Sequence, residues 1–133
     1  MSDSYRTIGE ALEHEPGKIK GSRHIANVFP ITNQEDIASN LESVRARMPD
    51  ANHHAYAWRL GRGDNDFRYS DDGEPSGSAG RPILKHIDGQ DLTDTLVVVS
   101  RYFGGTKLGT GGLVRAYGGA AQEVLHLANI VEV

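Results

Sequence analysis

The chain has 133 residues, a formal net charge of −4 and no cysteine. That length holds one domain, whose core can bury about 70% of the unfolded surface without staples, and the missing thiols exclude disulfides and thiolate metal sites. The acidic balance excludes a basic coat for nucleic acid, and no apolar run approaches the roughly 18 residues of a membrane helix.

The start, MSDSYRTIGEALEHE, is polar and acidic, so no signal peptide is expected, and a thiol-free chain fits a reducing cytoplasm. Residues 1–16 read as an N-terminal extension or edge hairpin ending at Pro16-Gly17, with 17–133 forming the single domain. Ser22 to Pro30 predicts a strand, with Ile25, Ala26, Val28 and Phe29 apolar and Pro30 as its stop. Thr32-Asn33-Gln34-Glu35 has the form of a capping box with Thr32 as the cap. The helix after it carries Ile37, Leu41, Val44 and Met48 on one face and stops at Pro49.

From Ala51 to Leu60 the pattern alternates: His54, Tyr56, Trp58 and Leu60 share one side, His53, Ala55, Ala57 and Arg59 the other. The small alanines leave room for a helix to approach closely. Gly61-Arg62-Gly63-Asp64 is expected to turn, and Phe67 to Ser70 to form a short strand. Ser76 or Ser78 is expected to cap a short helix through Ile83, Leu84 and Ile87, ended by Asp88-Gly89. Leu96 to Val99 is a continuous apolar run, as in a strand covered on both faces. Leu113, Tyr117, Ala120, Val124 and Leu127 then recur at helical spacing. Strands alternating with three helices imply an α/β (α+β) two-layer sandwich, with a mixed sheet and helices on one face.

Two glycine-rich loops carry the chemistry. In and just beyond RYFGGTKLGTGGLVRAY, six glycines (Gly104, Gly105, Gly109, Gly111, Gly112 and, past its end, Gly118) cluster where a strand hands over to a helix. Such a loop presents backbone N–H groups and the positive end of a helix to an anion. No acid occurs between Asp94 and Glu123, whereas Arg101, Lys107 and Arg115 supply positive charge. A P-loop requires Lys-Ser/Thr after the second glycine, but Thr110-Gly111 stands there; a dinucleotide fingerprint requires glycine or alanine where Val114 stands. A generic phosphate site remains, set against glycines that serve only tight packing. Tyr102, Phe103 and Tyr117 flank it, either to stack bases or to fill the core.

The other loop, SDDGEPSGSAGRPIL, gathers Asp71, Asp72 and Glu74, with Asp64 and Asp66 upstream. Three hard carboxylates suit a divalent cation, but acids just before a helix are also stabilised by its dipole, and no EF-hand spacing is present. There is no G-x-S-x-G elbow, and His53-His54 point to opposite faces of a strand, so no catalytic residue and no metal ligand is assigned.

Taken together, SDDGEPSGSAGRPIL and LVVVSRYFGGTKLGTGGLVRAY, with KGSRHIA and ANHHAYAWRLG, resemble the N-terminal domain of the IMPACT family (YigZ-like) over about Gly17 to Asn129. Three departures stand out. His24 occupies a position usually held by an aromatic such as phenylalanine, Ser78 one of threonine, and Ala55 one of cysteine or another small residue. The resemblance implies the two-layer fold shared with a small-subunit ribosomal protein and domain IV of elongation factor G. It also implies a translation-associated regulatory or binding module that contacts RNA or a ribosomal component.

On this reading Gly109, Thr110, Gly111 and Gly112 cradle a phosphate, Lys107 and Arg115 neutralise it, Arg101 orients the strand end and Arg23 extends the patch. Asp71, Asp72, Glu74 and Ser76 order the adjoining loop by capping or by ion pairs to these arginines. No cofactor is assigned and no membrane partner is expected. Two further readings stand beside it: an enzyme acting on a phosphorylated small molecule or nucleotide with Mg²⁺ in the acidic loop, and a protein-interaction module.

Overall fold

The computed structural model describes residues 4–63 and 66–133. Asp64, an acid of the upstream cluster and the end of the expected turn, lies outside the described residues. In chain order the elements are β1 (Arg6–Ile8), β2 (Leu12–His14), β3 (Arg23–Pro30), α1 (Gln34–Arg47), β4 (His53–Arg59), β5 (Phe67–Ser70), α2 (Gly80–Gly89), β6 (Thr95–Tyr102), α3 (Gly109–Leu127) and β7 (Ile130–Glu132).

Five strands form one sheet in the order β2-β3-β6-β4-β5, with β6 at its centre. Val97, Val98 and Val99 of β6 are fully buried, as expected of a run covered on both faces. Alternation then sorts the residues. Val97 and Val99 pair in register with Val28 and Ala26 on one side and with Ala57 and Ala55 on the other. That face packs against Ile83 and Ile87 of α2 and against Leu113, Tyr117, Ala121 and Val124 of α3. The paired alanines of β4 admit α2 closely, which is the use their size suggested.

The opposite face carries Leu96, Val98 and Trp58 and packs against Ile37, Leu41 and Val44 of α1. The α/β class stands, with two corrections to its detail. Every pairing within the sheet is antiparallel rather than mixed. The helices cover both faces, because the bulky side of β4 and β6 needs a cover of its own, and α1 supplies it. The small strand β7, absent from the sequence reading, pairs antiparallel with β1 at the chain's two ends.

Local signals were off by small steps. The N-cap of α1 is Asn33, whose Oδ1 accepts from the Asp36 N–H at 2.8 Å. Asp36 in turn accepts from the Thr32 N–H and hydroxyl, both at 2.8 Å. The box has therefore shifted one residue, with Asn33 as the cap and Asp36 closing back onto Thr32. Neither Ser76 nor Ser78 caps α2, whose own N-cap is Ala79.

Candidate functional site

The acidic loop is consumed by the fold. Asp71 Oδ1 accepts from the N–H groups of Ala79 and Gly80 at 3.0 and 2.9 Å, and Oδ2 accepts from Gly77 at 2.9 Å. Asp71, not a serine, thus caps the start of α2 from a distance. Burial would raise its pKa, but these three backbone donors outweigh that and hold it below the usual carboxylate value. Asp72 Oδ2 accepts from the His54 N–H at 2.7 Å, and its carbonyl accepts from His53 Nδ1 at 2.8 Å. Ser76 is exposed. Among the described residues no three His, Asp or Glu side chains gather as a cation site.

Glu74 goes inward, and it joins the two motifs. Its carboxylate accepts from Arg101 Nε at 2.6 Å and Nη2 at 3.0 Å, a two-pronged ion pair with both side chains at least nine-tenths buried. The Tyr117 hydroxyl of α3 donates to the same carboxylate. Burial pushes Glu74 up, and the bonds from Arg101 and Tyr117 more than reverse it, leaving it below the ordinary value. Tyr117 is driven upward, first by burial and then by its bond to Glu74. Register explains the rest of the cluster, since His24 and His53 stand directly across from Arg101 on the neighbouring strands. His53 Nε2 comes within 3.5 Å of Glu74. His24 packs edge-on against the Tyr117 ring, 5.4 Å between centroids, and neither ring nitrogen has a hydrogen-bond partner among the described residues. Burial, with the Arg101 charge second, lowers its pKa to about 4.

Beyond this network the chain emerges into the glycine loop. Gly104 packs so tightly on Gly21 that a Cβ would lie 2.1 Å from its carbonyl carbon, so only glycine fits there. The Gly104 N–H donates to Ser22 Oγ at 3.2 Å, and Arg101 Nη1 reaches the same oxygen at 3.4 Å. α3 then starts at Gly109, where φ is +75°, with no side-chain cap and no acid in its first turn. Its first N–H groups, through Gly111, have no helical acceptor by geometry, the Gly112 N–H being the first placed to reach back to the Leu108 carbonyl. A Cβ at Gly111 would lie 3.5 Å from Arg115 Nη1, so that guanidinium hangs over the open turn. Lys107, Thr110 and Arg115 are exposed, and neither Lys107 nor Arg115 makes an ion pair among the described residues.

The four expected cations therefore divide. Lys107 and Arg115 stay with the turn. Arg101 is 7% exposed and neutralised by Glu74. Arg23 sits at the other end of the Tyr102 register pair, its guanidinium 5.1 Å from that ring and held at 2.8 Å by Glu15. Of the aromatics flanking the loop, Tyr117 is core, Tyr102 donates to Asp50 at 3.0 Å, and Phe103 is 46% exposed beside Arg101. Sequence reasoning left Tyr117 between base stacking and core, noted His24 only as a departure from an aromatic position, and gave Ser22 no role beyond starting a strand. All three lie inside stretches whose residues otherwise look like ordinary strand and helix positions.

A family model described as the Impact N-terminal domain matches residues 20–125. The IMPACT family member YvyE of Bacillus subtilis (strain 168) is 40% identical over 132 residues, covering 99% of this chain and 60% of that protein. The IMPACT family member YigZ of Escherichia coli (strain K12) is 46% identical over 110 residues, covering 81% of this chain and 54% of that protein. This chain thus spans little more than half the length of those relatives. Among solved structures, one described as a crystal structure of a hypothetical protein superposes at a TM-score of 0.93 with 38% identity, over 100% of this chain and 65% of that one. A two-domain translational regulator, Yih1, superposes at a TM-score of 0.50 with 25% identity, over 92% and 47% of the two chains.

Proposed function

The chain belongs to the IMPACT family, and from that premise we propose that it is a translation-associated binding module contacting RNA or a ribosomal component through the first turn of α3. The observation that carries the reading is the open helix start at Gly109 to Gly112, uncapped and acid-free, with exposed Lys107 and Arg115 beside it. Free N–H groups and the helix dipole favour an anion, and two exposed cations add charge without a counter-ion among the described residues. The kinship with a structure described as a translational regulator supports the translation side of the proposal. Buried Arg101 holds the strand end in place, and Glu74 ties the turn's base to the acidic loop.

The test is RNA binding by the purified protein across a salt series. The double change Lys107→Ala with Arg115→Ala is expected to weaken binding and reduce the salt slope by about 1.5, the share of two phosphate contacts. Unchanged affinity in that variant would remove the turn as the contact. Absence of binding at low salt would end the RNA reading.

A further inference from the structure

Arg115 also stands at the edge of a second feature. The outward sides of α2 and α3 and the edge strand β5 line an open cleft of about 790 Å³. Phe67 and Tyr69 enter it 40% and 39% exposed. They share one face of β5 by alternation, and their register partners Arg59 and Ala57 turn that face toward α2. Arg81 and Lys85 lie four residues apart, so one side of α2 carries both, and Arg115 joins them from α3. None of these three makes an ion pair among the described residues. Asp88 is the acid of the lining, and Arg59 Nε already donates to it at 2.8 Å. The cleft is thus positive and aromatic at once.

Its floor holds a glycine that the fold does not explain. At Gly118 a Cβ would lie 3.4 Å from His86 Nε2, in ordinary contact with α2. At Gly119, next in the same helix, a Cβ would meet nothing within 4 Å. Glycine weakens a helix interior, and here no neighbouring atom asks for it. A bound molecule lying along α3 would.

We propose that this cleft holds a single-stranded RNA segment, its bases stacked on Phe67 and Tyr69 and its phosphates met by Arg81, Lys85 and Arg115. The inference rests on the proposed RNA-binding role and deepens it by assigning the strand state and a second surface. Stacking selects the occupant. A duplex keeps its bases stacked on one another and offers mainly phosphates and sugars, whereas an unpaired base offers a π-face to any exposed aromatic ring. The Arg59 guanidinium already lies over Phe67, 5.0 Å from its centroid, and an acidic peptide would answer the cations while offering Tyr69 no stacking face.

The experiment measures affinity for a fluorescent oligouridine and for a duplex of equal length, at fixed salt. The single strand is expected to bind at least about tenfold more tightly than the duplex. Phe67→Ala with Tyr69→Ala is expected to weaken it by about tenfold or more. Gly119→Leu is expected to do the same by filling the cleft, while its thermal midpoint stays level or rises because leucine favours the helix. Equal or tighter duplex binding would overturn the inference, as would displacement of the oligouridine by polyglutamate at equal charge concentration. Wild-type affinity in the Phe67/Tyr69 and Gly119 variants, with loss only in the Lys107/Arg115 variant, would overturn the cleft and leave the α3 turn as the contact. If neither RNA binds at low salt, the broader reading falls and the cleft with it.

Discussion

Arg101 and Arg115 stand at the two ends of one glycine-rich stretch, in opposite surroundings. Arg101 is buried against Glu74, and Tyr117 and Ser22 complete the shell of that pair. Arg115 hangs over an uncapped helix start and faces water. The formal charge is the same, yet only one of them can answer an incoming anion. Charge counted along the chain measures inventory, and partners in the fold decide what is available.

The comparison breaks most visibly at Glu74. Replacing it with alanine strands the Arg101 guanidinium in the interior, and a buried pair broken on one side typically costs about 3–5 kcal/mol. Urea unfolding of Glu74→Ala is expected to show a loss of that order. The compensated pair Glu74→Leu with Arg101→Met is expected to recover most of it, since well-packed apolar groups replace buried pairs at little cost. Failure to recover would mean that the network's shape, rather than its charge balance, holds the loops together.

Titration sharpens the same contrast. His24, neutral in the fold with a pKa of about 4, takes up a proton readily only when unfolded. Its contribution is therefore complete above the unfolded value near 6.5 and is lost as pH falls toward 4, by on the order of 3 kcal/mol. Glu74 acts in a lower window, because its depressed pKa stabilises the fold above about 4.5 and loses that effect only below it. His24→Phe is expected to flatten the stability profile between pH 6.5 and 4 while leaving the steeper loss below 4.5. It also removes two ring nitrogens that have no hydrogen-bond partner among the described residues. A profile unchanged by the substitution would place the pH dependence elsewhere.

The smallest effect belongs to the outer arginine. Arg23 pairs with Glu15 at the surface, the two side chains 45% and 38% exposed, where such pairs are heavily screened. Arg23→Ala is expected to leave the thermal midpoint unmoved within error. A clear drop would show that the Tyr102 stack beside it carries more than the geometry implies.

How much of this was legible follows from the range of each interaction. β5 was bounded correctly at Phe67 and Ser70, and β3 and α1 within a residue, because alternation, helical spacing and Pro30 act over one or two turns of chain. The capping box slipped by one residue because Thr32, Asn33, Glu35 and Asp36 all satisfy the pattern and only side-chain reach separates them. The cap of α2 was assigned to a nearby serine, whereas Asp71 supplies it from eight residues before the helix-side amide of Ala79. β7 was missed because a three-residue strand has no period to detect, and its partner lies at the far end of the chain.

The sequence by itself determined the α/β class, the doubly buried strand at Leu96 to Val99, the face of β4 that a helix would cover, and the glycine-rich start of α3. These follow from local sterics and from apolar spacing, which any conformation of the chain must obey. Tertiary structure alone decided which helix covers which face, which acid meets which arginine, and which of the cations near the glycine loop remain exposed. Those depend on residues brought together across the sheet, as Glu74 and Arg101 are, and no short-range pattern encodes a distance between them.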